Sequence, residues 1–247
     1  MSNWSEALKK DTKNILGVVN ITNDSFSNDG LLGHKEQLIK NLNSYNSMNI
    51  RFLDIGCVST KPGYEEVSKT QELQRLQFFT SNYNLNFSLS IDTMNPEVAE
   101  VAMNNQFEII NDVSGFQDKN MVDVAVEKQC KVIVVHRHRQ SENLHQKFQY
   151  KNITSEVRED LINQVDRLIK LGIKEDNIAV DPGLGFGKEM KDSAEILKNI
   201  EMLNFGLPII VGYSKKKFTE YLAMSSDDLF QHCLNSGIAL VRLHIST

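Results

Sequence analysis

Polar or charged residues follow eight short apolar runs along the chain: Asn20, Asp54, Asp92, Asn111-Asp112, His136, Asp181, Ser214-Lys215-Lys216, and Arg242 with His244. An acid or amide at the end of a buried run needs partners, because burying an unpaired polar group is costly. In the stretch ending at Asp92, period two puts Ser90 and Asp92 on one face and Leu89 and Ile91 on the other. Asp92, Asp181 and the amide of Asn111 are therefore candidates for recognising a planar, nitrogen-rich heterocycle whose N–H groups supply donors. Lys61, Lys215, Lys216, Arg242 and His244 carry the opposite charge, and with helix N-termini they suit a phosphate or carboxylate. A basic run such as Lys215–Lys217 at a helix start opposes the helix macrodipole, which makes it costly as decoration.

Other chemistries fail on spacing. The glycine-rich segment Pro182–Lys188 resembles a phosphate loop only superficially. A Walker match ending at Gly187-Lys188 needs glycine at Pro182 and Ser or Thr at Glu189. His136 and His138 stand two apart with no acidic residue at ligand spacing, which argues against a metal pair. The three cysteines, Cys57, Cys130 and Cys233, are far apart and outside any CxxC motif, so they form no structural zinc site by themselves and suit a reducing cytoplasm.

The elements that must position these residues alternate. Apolar runs of strand length occur at Ile15–Ile21, Phe52–Ile55, Phe87–Ile91, Glu108–Val113, Val132–Val135, Ile178–Val180, Pro208–Val211 and Leu240–Ile245. Helical spacing appears between them, as in Glu36–Tyr45 and Val157–Leu171, and Asn95-Pro96 reads as a cap and first turn for Glu97–Met103. Eight strands alternating with helices in 247 residues predict one (β/α)8 barrel domain over 1–247, with 1–14 as an N-terminal extension. An open doubly wound sheet is the alternative. The last strand run ends close to Thr247, so an eighth helix after it is expected to be missing. A second copy of the chain, with Trp4, Ala7 and Leu8 from one face of the N-terminal segment, is expected to cover the outer side of strand eight, giving a homodimer. A net charge of -5 argues against nucleic-acid or anionic-membrane surfaces. The N-terminus lacks a signal-peptide core and no apolar run reaches ~18 residues, so a cytoplasmic protein is expected.

Taken together, ILGVVNITNDSFSNDG, DIGCVSTKPG, SIDTMNPEVA, IINDVSG, VDPGLGFGKE, IVGYSKKKF and VRLH resemble dihydropteroate synthases, in the family's order, from Ile15 to His244. The resemblance implies a barrel that joins 6-hydroxymethyl-7,8-dihydropterin pyrophosphate to p-aminobenzoate with Mg²⁺, a folate-pathway step and the target of sulfonamides. It implies a pterin-holding set of Asp92, Asn111, Asp181 and Lys216, with Phe186 near the bound reactants. Asn20 matches a metal and pyrophosphate contact, Arg242 and His244 a pyrophosphate clamp, and Thr60, Lys61 and Ser214 the p-aminobenzoate side. Asp92, Lys216 and Arg242 match the catalytic positions.

The sequence departs from the family pattern at several points. Asn23 stands for proline, Cys57-Val-Ser-Thr60 for GEST, Lys61 and Lys215 for arginine, and Ile245 for an acidic residue. The stretch Phe218–Gly237 is shorter than usual. Lysine keeps the charge but lacks arginine's bidentate fork. A non-catalytic pterin-binding homologue and a methyltetrahydrofolate-dependent methyltransferase barrel are therefore the competing readings.

Overall fold

The computed structural model describes residues 2–21, 31–58, 67–83, 86–138, 140, 141, 143 and 146–244, with side chains from 36 and 38 onward in the first helix after strand one. Eight strands are present: β1 Ile15–Asn20, β2 Phe52–Gly56, β3 Ser88–Asp92, β4 Phe107–Asp112, β5 Lys131–Val135, β6 Ile178–Asp181, β7 Ile210–Gly212 and β8 Leu240–Leu243. The helices are α1 Trp4–Leu8, α2 Leu31–Ser47, α3 Lys69–Asn82, α4 Pro96–Met103, α5 Lys119–Lys128, α6 Ile153–Lys170, α7 Met190–Lys198 and α8 Ser226–Asn235, the last lying before β8. All hydrogen-bonded strand pairs are parallel, in the order β6-β5-β4-β3-β2-β1-β8-β7. The remaining gap is bridged where Val180 N–H donates to Pro208 O at 2.9 Å and Val180 pairs with Ile209. The sheet therefore closes on itself, and the open doubly wound alternative is excluded. Among the described residues no helix is long and apolar enough to cross a membrane.

Period-two alternation along these strands builds two cores rather than one. Outward residues such as Ile55, Ile91, Val134 and Val211 pack under the helices. Inward residues Leu16, Phe52, Ile109, Ile133, Ala179, Ile210 and Leu240 fill the barrel. Local sequence sets the helix ends. Ser68 and Gln71 form a reciprocal capping box on α3, and Asn95 caps α4 with Pro96 in its first turn. Gly17 lets α2 approach β1 closely: a Cβ there would stand 2.5 Å from the Tyr45 ring, whose hydroxyl donates to Val18 O at 2.8 Å.

The N-terminal segment takes a different place from the one its pattern predicts. Trp4 and Ala7 join the inner barrel core, not the outer side of β8. The indole N–H donates to Val132 O at 3.3 Å, the ring lies 6.2 Å from that of Phe52, and buried Lys131 donates to Ser2 O at 3.1 Å. A large flat ring with one donor suits the apolar inner core at this end, where the Val132 carbonyl accepts its N–H. The segment is a plug. Trp4→Ala is expected to destabilise the protein by about 3–5 kcal/mol, the usual cost of truncating a buried tryptophan. Urea unfolding reads this directly, and an unchanged midpoint would exclude the plug.

Candidate active site

The opposite mouth of the barrel, at the strands' C-terminal ends, gathers the polar residues. Register decides which of them are neighbours: Asp54 pairs with Ser90, and Gly56, Asp92 and Asn111 stand in line across β2, β3 and β4. Asp54 is completely buried. It accepts from Ser90 Oγ at 2.7 Å, Asn111 Nδ2 at 3.0 Å and Arg242 Nε at 2.5 Å. Arg242 Nη2 reaches across to Asp92 Oδ2 at 2.5 Å. Burial pushes the Asp92 carboxyl up to about 7 against the pull of Arg242. Burial would weaken the Arg242 guanidinium, but Asp54 and Asp92 together hold it above its ordinary value. Asn111 Oδ1 is buried and has no partner among the described residues.

Across the mouth, β6 delivers Asp181, which accepts from Gly183 N–H at 2.7 Å. Gly183 has φ +64, and a Cβ there would collide with His136 O, so only glycine makes this turn. Lys216, after β7, donates to Leu184 O at 2.6 Å and lies 5.1 Å over the Phe186 ring. Burial draws the Lys216 ammonium down to about 8, with Asp181 opposing. Burial likewise raises the Asp181 carboxyl, with Lys216 opposing. Phe186 packs on the far end of the inner core from Trp4.

At the rim, Asn20 Nδ2 lies 3.4 Å from His244 Nε2, and Ser214 Oγ accepts from His244 N–H at 3.3 Å. Lys215 is exposed, with φ +60. Thr60 and Lys61 lie outside the described residues. The mouth thus brings Asp92, Asn111, Asp181, Phe186, Lys216 and Arg242 together, with Asn20, Ser214 and His244 above them. Sequence reading assigned no role to Asp54 or Lys188. Asp54 had a usable signal, since it falls at the end of a buried run with period-two spacing to Gly56. Lys188 had only a failed phosphate-loop match. It is fully enclosed and donates to Gly183 O at 3.0 Å, Phe186 O at 3.1 Å and His136 Nδ1 at 2.9 Å, pinning the turn that presents Asp181 and Phe186. His136 Nε2 faces Asp160 of α6 at 3.4 Å, while His138 stacks on Phe148 at 3.7 Å.

A parallel (β/α)8 barrel with carboxylates and an amide on one side of its mouth and cations beside them is an enzyme scaffold suited to a flat, donor-rich ring with an anionic tail. Residues 16–244 match the family model described as "Pterin binding enzyme". The chain belongs to the pterin-binding enzyme family. It is 33% identical to the dihydropteroate synthase of Clostridium beijerinckii over 206 residues, covering 82% of this chain and 74% of that protein. The dihydropteroate synthase of Anaplasma phagocytophilum, solved with bound 6-hydroxymethylpterin-monophosphate, superposes with a TM-score of 0.82 at 28% identity, covering 95% of this chain and 94% of that one. The Xanthomonas albilineans enzyme, solved with 4-aminobenzoic acid, gives a TM-score of 0.80 at 26% identity, covering 95% and 88%.

The His136–Lys188 contact has a pH consequence. Burial, then the neighbouring Lys188, pull the His136 imidazole down to about 4 from 6.5. A group with a depressed folded pKa contributes stability above its unfolded value and loses it as the pH falls through the folded one. Acidification from pH 6.5 to 4 is therefore expected to remove on the order of 3 kcal/mol through this residue. His136→Gln keeps an acceptor for Lys188 and should flatten that part of the urea-unfolding pH profile. An identical acid slope in the variant would refute the assignment.

Proposed function

We propose that the chain is a dihydropteroate synthase, condensing 6-hydroxymethyl-7,8-dihydropterin pyrophosphate with p-aminobenzoate to give 7,8-dihydropteroate and pyrophosphate. The observation that carries this reading is the buried Asn111 Oδ1 beside Asp92, an acceptor at the barrel mouth with no partner among the described residues. A ring with N–H donors on its edge satisfies it, together with Asp92 and Asp181. Lys216 and Phe186 form the adjoining wall, an ammonium over an aromatic face.

In the reaction, the bond between the pterin methylene carbon and the diphosphate oxygen breaks first, and its electron pair leaves with the diphosphate. The methylene becomes cationic. Asp92 and Asp181, fixed before the substrate arrives, stabilise that positive charge without reorganising. The lone pair of the arylamine then forms the C–N bond, and the nitrogen loses a proton to water or to the departed diphosphate. Arg242 and His244 are assigned to the diphosphate. The Ser214 hydroxyl, which already accepts from His244 N–H, can donate its own hydrogen to the benzoate carboxylate. Thr60 and Lys61 are assigned to the same substrate on the family pattern.

Mg²⁺ fits as a companion of the diphosphate. Among the described residues no three His, Cys, Asp or Glu side chains converge, and Mg²⁺ commonly binds through substrate phosphates, waters and few protein oxygens. The amide oxygen of Asn20, at the β1 rim, would supply one such oxygen. When bound, the ion offsets charge on the diphosphate. The three cysteines are buried and free, which supports a cytoplasmic setting. A cavity of about 360 Å³ beside β8 is bordered by Ile15, Leu229 and Leu243 and also by Ser214, Lys215 and His244, so it belongs to the rim of the candidate site. The homodimer rests on the sequence pattern, and light scattering at micromolar concentration is its test.

The deciding experiment is pyrophosphate release when p-aminobenzoate is added to protein loaded with the pterin pyrophosphate and Mg²⁺. Binding without release would mark a non-catalytic pterin binder. Neither binding nor release would point to the methyltransferase-like alternative. Lys216→Ala and Asp181→Asn should each weaken pterin pyrophosphate binding on the order of 30-fold or more, because each strands a buried charged partner. Wild-type affinity by calorimetry in either variant would show that the pocket is elsewhere.

A further inference from the structure

We propose that Asp54 is a positioning residue that fixes which atom of Asn111 faces the substrate; the inference rests on the pterin-site reading above. Asp54 is removed from water and, as a carboxylate, only accepts hydrogen bonds. Its three donors come from three different strands: Ser90 on β3, Asn111 on β4 and Arg242 on β8. The end of Asn111 that meets Asp54 must therefore be the NH2 group, since its carbonyl oxygen would be repelled there. That leaves Oδ1 turned away from Asp54, buried and without a partner.

An asparagine side chain can present either a donor or an acceptor after a half-turn of its amide, and the two ends are nearly the same size. A site that must choose needs a group on the far side that accepts only. Asp54 meets that need, and Ser90 holds its other oxygen so that the carboxylate cannot rotate away. The same oxygen that takes the Asn111 amide takes Arg242 Nε, and Arg242 then carries the constraint to Asp92. One carboxylate thereby orients an acceptor on β4 and a cation whose other end holds the carboxylate on β3. Asp54 itself has no exposed surface, so it acts through these neighbours and not on the reacting atoms.

The chemistry implies a polarity that can be exchanged. In the Asn111→Asp variant two carboxylates would face each other, and binding of the pterin pyrophosphate is expected to weaken at least 30-fold. Adding Asp54→Asn puts a donor opposite the new carboxylate and keeps an acceptor toward the ligand. It also removes the oxygen that Arg242 Nε shares, so Asp54→Asn alone is measured as well to read that loss. The double variant should recover at least tenfold of the loss. Asp54→Ala should raise KM for the pterin substrate more than tenfold, with KM for p-aminobenzoate unchanged. Calorimetry with the pterin pyrophosphate on wild-type protein comes first, because failure there overturns the functional reading itself. If wild type binds and the double variant binds no better than the losses of Asn111→Asp and Asp54→Asn combined, Asp54 does not set the amide. If Asp54→Ala fails to fold, the exchange pair still decides the question, since neither member introduces a cavity.

Discussion

Three carboxylates inside one barrel impose the constraint on which the rest of this structure depends. Moving one ion out of water costs several kcal/mol even after relaxation, and like charges held close add to that. Asp54, Asp92 and Asp181 can share the interior only because Arg242 and Lys216 enter it as well. Arg242 is the tighter strap, with one nitrogen on Asp54 and another on Asp92. Its planar fork suits that double contact in a way an ammonium does not. The compensation is incomplete at Asp92, whose proton affinity stays well above that of a solvated carboxyl. A substrate that brings N–H donors or developing positive charge would offset the remainder, so the cost of burying these carboxylates and an affinity for such a substrate have one cause.

The strands' two-residue period makes this arrangement possible. Because alternate side chains face inward, the axis of the barrel is a column running from Trp4 through Phe52, Ile133 and Ile210 to Phe186. The lower part is apolar and sealed by α1. Polar residues appear one pleat further up, on the same inward faces, as Asp54 follows Phe52 and Arg242 follows Leu240. Stability and chemistry thereby occupy opposite ends of the same strands, as the barrel fold favours. A change at the plug acts on folding, while a change at the mouth acts on the ligand and, through its buried charges, on folding too.

Sequence periodicity located all eight strands to within about two residues, because buried parallel strands are continuous apolar runs bounded by turn residues. It also found the mouth residues, since a polar side chain ending an apolar run is conspicuous. It misplaced the N-terminal segment. The face shared by Trp4 and Ala7 shows that something apolar must be covered, but the pattern is the same for the barrel's open end and for the flank of β8. The role of Asp54 was hidden for a different reason. Its partners lie 36, 57 and 188 positions away, and only the register of β2 against β3 and β4, with closure of β8 onto β1, brings them together. Lys188 was hidden likewise, since its acceptors are backbone carbonyls that no side-chain motif records.

The residues proposed for recognition share a division of labour that follows from these packing demands. Asp181 commits one oxygen to Gly183 N–H, Asp92 commits one to Arg242, and Asn111 commits its NH2 group to Asp54. Each is thereby locked in a single rotamer by an atom that serves the fold, and each has a second atom available to a ligand. A side chain with only one polar atom cannot do both, which is a physical reason for carboxylates and an amide at these places. Such locking lowers the entropic cost of binding, because the pocket's acceptors do not have to be ordered when the substrate enters. The same locking is what a preorganised electrostatic site requires, as dipoles that must rotate into place during the reaction forfeit much of their effect. In this protein, the bonds that allow charge to be buried also fix where that charge stands in the barrel mouth.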